Sequence, residues 1–163
     1  MSLPTIKTIL YATSMGKHSR PVFRQAIQVA KTYKAKIVML HVVEPIGETG
    51  KALIQNYLPQ DLIKTMHDEG LDKIKANMKE RVIKFYEDEM EKIEDLSGLD
   101  IEQLVGEGNR SDEIVDIANA INADLIMMGS HNSLGRSSST TRAVIKYSER
   151  PVMVVPTRVK PKH

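Results

Sequence analysis

The 163-residue chain contains no cysteine and no tryptophan. Without cysteine there is no disulfide, no thiol nucleophile and no thiolate metal site, and the composition fits a reducing, intracellular setting. Two Phe and five Tyr are too few to build the aromatic platforms on which single-stranded nucleic acid stacks. No run approaches the ~20 apolar residues that span a bilayer. The opening MSLPTIKTIL lacks a basic segment followed by an apolar core and a small-residue cleavage site, so no secretory signal is read there. An excess of one charge is missing too. The 23 Lys+Arg nearly balance 21 Asp+Glu, and the resulting +2 is no footprint for nucleic acid. A cytoplasmic protein with neither membrane nor nucleic acid as partner is expected.

What is present is ordinary globular composition, 41% apolar and 27% charged, at a length close to the ~150-residue prior for one domain. Short apolar runs alternate with helical patterns. Strands are expected at Ile6–Ala12, Lys36–Val43, Asp100–Val105, Leu125–Met128 and Pro151–Val155, several continuous enough to be buried on both faces. Helices are expected from Ser19–Pro21 to Tyr33, from Asp61 to about Ile93, from Asp112 to Ile121 with Ser111 opening it, and up to about Ser148. In the long central helix, Leu71, Ile74, Met78, Val82 and Phe85 form one apolar stripe, and the run Glu87-Asp88-Glu89 reads as its solvated face. Gly47–Gln60 is the least regular stretch and reads as a mobile insertion. No linker or repeat divides the chain. The fold class is α/β: a single doubly wound open parallel sheet with helices on both faces, over residues 1–157, followed by a basic tail at 158–163.

In such a sheet, ligands bind outside the carboxyl ends of the strands, where the strand order reverses. Three segments meet there: Ala12–Gly16, His41–Glu44 and Gly129–Thr141. The last reads GSHNSLGRSSSTT and leads from a strand into a helix. Amide N–H groups at a helix start lack partners and suit an anion, and hydroxyls add donors. The same cluster also serves as a plain helix-capping turn, and the residues alone do not decide between these readings. The five histidines make no metal-ligand pair at helical spacing, so no metal is expected. His41 is expected as a hydrogen-bonded core residue and His131 as a solvent-exposed one. Ser130 and His131 are expected to point apart, and no G-x-S-x-G elbow exists, so no catalytic residue is assigned.

Three stretches carry a family resemblance: IKTILYATSMGKHSRPVFRQAIQVAKTYKAKIVMLHVVEP, GEGNRSDEIVDIANAINADLIMMGSH and SERPVMVVP. Together they resemble the universal stress protein family. The resemblance implies five strands in the order 3-2-1-4-5 and a homodimer formed by pairing the last strands, here Pro151–Val155. It also implies an adenine-nucleotide site. The family's ATP-binding branch carries G-x-x-G, nine residues, then G-[ST], with an Asp after the first strand. Gly129 matches, Asn132 stands at the second Gly, and Ser138 and Ser139 fall on the final pair. The connection is thus about four residues shorter than the pattern. Ser14 takes the Asp position, beside Thr13, and Val42 keeps the place whose backbone meets adenine. A wrapped triphosphate is disfavoured; a smaller anion or a mononucleotide suits the five hydroxyls of Ser137–Thr141, with Arg136 and Arg142 near.

The leading expectation is a dimeric stress-response module with a nucleotide or anion pocket lined by Thr13, Ser14, Val42, Gly129, Asn132, Ser138 and Ser139. The alternatives are an interaction protein acting through its dimer edge and the 44–60 insertion, and, last, a weak ATP-hydrolysing enzyme. The enzyme fares worst because only Glu44 supplies a carboxylate in the pocket segments.

Overall fold

In a computed structural model, the residues described are 2–15, 17–44, 60–93, 97–132 and 135–157, with backbone alone at 17, 60–69 and 71. The expected insertion lies, over 45–59, outside the described residues, and so does the tail at 158–163.

Five strands form one sheet: β1 (Thr8–Ala12), β2 (Lys36–Val43), β3 (Asp100–Glu107), β4 (Leu125–Gly129) and β5 (Val152–Val155). Their order is β3-β2-β1-β4-β5, and all four pairings are parallel. Between them run α1 (Arg20–Tyr33), α2 (Gln60–Met90), α3 (Arg110–Ala120) and α4 (Ser139–Tyr147), with a 3-10 turn at Lys17–Ser19 before α1. The doubly wound architecture and the strand order agree with the sequence reading.

Side chains of a strand alternate between faces, and the central strands are apolar on both. Ile9, Tyr11, Ile37, Met39, Leu125 and Met127 pack toward α1 and the C-terminal half of α2, around Phe23 and Val82. Leu10, Val38, Leu40, Ile126 and Met128 pack the other way, against Ile114 and Ala118 of α3 and Val144 of α4. This is why those runs show no polar alternation. The β3 edge is polar and is met by lysines: Lys36 pairs with Glu102 at 2.9 Å, Lys75 with Glu107 at 3.7 Å, and Lys79 Nζ donates to the Gln103 carbonyl.

Two local expectations are corrected. Helix α3 is opened by Asn109, not Ser111: Asn109 Oδ1 accepts from the Asp112 N–H (3.1 Å) and from Ser111 Oγ (2.9 Å). Both residue types suit the cap, and the chain takes the earlier one. In α2, Glu87 and Asp88 are exposed but Glu89 is 1% exposed, pairing with Arg20 at 2.7 Å. Position 89 follows Val82 by seven and Phe85 by four, so it lies on the apolar stripe despite its acidic neighbours. Ile74 of that stripe is exposed, against the expectation.

Candidate functional site

Over the carboxyl ends of β1, β2 and β4 lies a cavity of about 240 Å³. Thr13, Ser14, Val42, Gly129, Asn132, Ser138 and Ser139 all line it. The structure therefore gathers into one place the residues that the sequence assigns to the pocket.

The β1 wall is fixed by hydrogen bonds to the body of the protein. The Thr13 N–H donates to the Leu40 carbonyl (2.8 Å), and the Thr13 carbonyl accepts from His41 Nδ1 (2.9 Å). A carbonyl cannot donate, so Nδ1 carries the hydrogen and Nε2 of a neutral ring carries a lone pair. Burial lowers the His41 pKa below the ordinary histidine value. The bond to Thr13 opposes that shift, and the Arg110 and Arg81 charges add to it. His41 is thus hydrogen-bonded as expected, while also facing the cavity. Ser14 Oγ sits 2.9 Å from His18 Nε2.

The β4–α4 wall differs from the expectation of a loop full of unpaired amides. His131 and Ser137 face each other in an antiparallel bridge, with Asn132 N–H on the Arg136 carbonyl and Ser138 N–H on the Ser130 carbonyl. Asn132 Oδ1 takes the Arg136 N–H, and Thr157 Oγ1 takes that of His131. Ser138 caps α4 by accepting from the Thr141 N–H at 3.1 Å. Among the described residues the amides of Ser139 and Thr140, in the first turn of α4, have no protein partner, as at any helix start. Most of the connection's described amides are already paired, within it or to Val155 and Thr157. Two are left for a guest.

Gly129 is held close to β5. A Cβ there would meet Thr157 Cγ2 at 3.0 Å and Oγ1 at 3.1 Å, while its carbonyl accepts from Thr141 Oγ1 at 2.8 Å. Ser130 and His131 do not point apart as expected: Oγ and Nδ1 lie 2.7 Å apart. The turn after β4 meets Thr157, whose N–H donates to Ser130 Oγ and whose Oγ1 bonds the His131 backbone N–H and carbonyl. Ser130 does not line the cavity, so the pair is a clasp between β4 and β5. His131 is half-buried and lines the cavity, not fully exposed.

Sequence reasoning missed Tyr11, His18, Arg110 and Thr157 as lining residues, while Thr140 and Thr141 belong to the hydroxyl run it offered to an anion. Arg110 was findable, because the β3–α3 connection also ends at the carboxyl edge of the sheet. Thr157 carries no such signal. Among the described lining residues the basic ones are Arg110 and His18, His41 and His131, and there is no carboxylate. No group of three or more His, Asp or Glu among the described residues is arranged to hold a metal ion. The site is electropositive and rich in hydroxyls.

A parallel sheet whose order reverses beside β1, with helices on both faces and a cavity at the reversal, defines a doubly wound α/β fold. The model of the universal stress protein family matches residues 5–156, and the chain belongs to that family. A universal stress protein of Methanocaldococcus jannaschii is 27% identical over 154 residues, covering 91% of this chain and 94% of that protein. The structure of a universal stress protein in complex with cAMP matches with a TM-score of 0.60 at 20% identity, over 94% of this chain and 98% of that one. A universal stress protein from Archaeoglobus fulgidus in complex with dAMP matches at 0.58 and 18% identity, over 93% and 98%. At such identities the structural likeness speaks to the fold. Among the described residues no helix is long and apolar enough to cross a membrane.

Proposed function

We propose that the protein is a cytoplasmic stress-response module that binds an adenine mononucleotide and acts as a homodimer, without a catalytic step of its own. One observation carries the ligand reading. Two unpartnered amides at the start of α4, a hydroxyl cluster and Arg110 line one cavity that has no carboxylate among its described residues. An anion is favoured there by the helix start and by net positive charge. Two amides serve one phosphate, and a Cβ at Ser138 keeps a longer phosphate chain from lying against the backbone. A triphosphate further needs its charge offset by a metal, and the lining supplies no carboxylate to hold one. The relatives bound to cAMP and dAMP support a guest with one phosphate.

Thermal denaturation with AMP, ADP and ATP, each with and without Mg²⁺, tests this. A ligand at 100 times its Kd adds about 2.7 kcal/mol of stability. AMP is expected to raise Tm as much as ATP or more, with no dependence on Mg²⁺. A Tm unmoved by any of them leaves the interaction-protein reading, which the self-satisfied connection after β4 favours. Phosphate release that Ser138→Ala with Ser139→Ala abolishes would revive the enzyme.

The dimer reading rests on the β5 edge of the sheet. Val154 is exposed there, and Ile145 and Tyr147 of α4 are exposed as well. A bare apolar edge invites pairing with another strand, and a second copy through Pro151–Val155 closes it. Val154→Lys is expected to yield a monomer in sedimentation velocity; an unchanged mass contradicts this edge.

A further inference from the structure

Glu89 is a buried carboxylate that the ligand reading does not use. Its two oxygens and Arg20 Nε are shut off from water; Oε1 and Nε lie 2.7 Å apart as an ion pair, and none of the three atoms makes a hydrogen bond among the described residues. Arg24 and Lys92 approach at 3.9 and 3.7 Å from half-exposed positions. Next to this pair runs a stack of rings from α2 through α1 to β1. Phe85 meets Phe23 edge-on at 5.9 Å, and Phe23 meets Tyr11 at 5.6 Å. The C-terminal end of α2 therefore grips the start of α1 beside the cavity.

Arg20 is joined to Ser19 by the peptide whose carbonyl lies 3.2 Å from Tyr11 Oη. Tyr11 Oη is also 3.1 Å from Thr13 Oγ1, which accepts from the Met15 N–H at 3.0 Å. The phenol has one proton, and the Ser19 carbonyl only accepts. With both contacts made, the phenol donates to Ser19 and the Thr13 hydroxyl donates to the phenol. Burial pushes the Tyr11 phenol up to about 12, with its hydrogen bonds opposing and the Glu89 charge adding to the rise, so it keeps its proton near neutrality. Thr13 Oγ1 has then spent its hydrogen and one lone pair. It offers the cavity an acceptor only, matched to an N–H or O–H of the guest.

We infer that Glu89 of α2 is a positioning residue for the Thr13 hydroxyl in the cavity, acting through Arg20, the Ser19 carbonyl and Tyr11. The inference deepens the nucleotide reading and rests on it for its ligand. Without the ion pair, the Ser19–Arg20 peptide is free to turn, the phenol loses its fixed acceptor, and the Thr13 hydroxyl is no longer held as an acceptor.

The test is amide hydrogen exchange at Met15, whose N–H reports on Thr13 Oγ1, beside AMP affinity by calorimetry. Arg20→Met with Glu89→Met removes the pair without leaving a lone buried charge. It is expected to speed Met15 exchange by about fivefold, the equivalent of one net hydrogen bond, and to weaken AMP by a similar factor. The Ser138 amide on the far wall is expected to stay as it was. Tyr11→Phe should reproduce both effects, and combining it with the double substitution should add little, because all act through one chain. Met15 exchange that stays unchanged in the double-Met protein, or effects that sum independently, overturns the inference. Should the parent protein bind no AMP, the nucleotide reading falls, while Met15 exchange still decides whether Glu89 holds the wall.

Discussion

The two walls of the cavity are built by opposite means. The β1 wall, Tyr11 to Ser19, hangs on the rest of the protein: on Leu40 and His41 of β2, and on the start of α1 beside the Arg20–Glu89 pair. The β4–α4 wall holds itself largely through the His131–Ser137 bridge, the Asn132 side chain and the Ser138 cap, with outside bonds to Thr157 and to the Val155 carbonyl. A self-folded connection gives up most of its amides to its own shape and keeps two at the helix start. A wall tied to distant elements keeps its side chains oriented but depends on those elements for its geometry. The first limits how much phosphate is held, and the second sets what lies around it.

This contrast predicts that the largest loss of stability comes from the externally tied wall. Glu89→Gln leaves Arg20 beside a neutral amide in a mostly buried place. The expected cost is roughly 2–4 kcal/mol, below the ~3–5 of a fully buried pair because Arg20 keeps about a third of its side-chain surface in water. Urea denaturation reads it, and a cost under 1 kcal/mol breaks the comparison. Next comes Gly129→Ala, where the new methyl meets Thr157. A cost of about 1–3 kcal/mol is expected, partly recovered by Thr157→Ser, which removes Cγ2 and keeps Oγ1. Recovery sharpens the picture of Thr157 as an outside clasp on this wall; no recovery says the crowding lies elsewhere.

Ser138→Ala removes the α4 cap and should cost about 1 kcal/mol. It frees the Thr141 amide, so AMP affinity is expected to change little or rise; a large loss of affinity would make Ser138 Oγ itself a ligand group. The smallest effect concerns pH. The folded pKa of His41 lies below its unfolded value, so its contribution is complete above the ordinary histidine pKa of ~6.5. Below that, the unfolded chain takes up the proton first, and stability falls as pH drops toward the folded pKa. His41→Gln should flatten that part of the stability profile measured from pH 7.5 to 5.5. A slope that survives the substitution assigns it to another group.

The sheet was legible because its central strands are apolar on both faces and cannot be read as anything exposed. Lys36–Val43 matches β2 end to end. The cavity's location followed from strand order and a hydroxyl-rich connection, and all seven assigned residues reach it. Three things were hidden for physical reasons. Glu89 lay inside an acidic run, where composition speaks for solvent and only the helical phase from Val82 and Phe85 speaks for burial. The amide pairing after β4 depends on a fold-back that spacing does not encode. Thr157 enters the cavity from a segment that resembles an ordinary turn, and only the assembled sheet brings it there.

The central claim is that the Ser139 and Thr140 amides hold a single phosphate while the β1 wall meets the rest of the nucleotide. An amide-resolved NMR titration of the protein with AMP in Mg²⁺-free buffer tests it most directly. The account predicts saturable shifts at Ser139, Thr140, Thr13 and His41, with Gly135 and Arg136 unmoved. No shift at those amides up to millimolar AMP, or saturation confined to another part of the molecule, contradicts it.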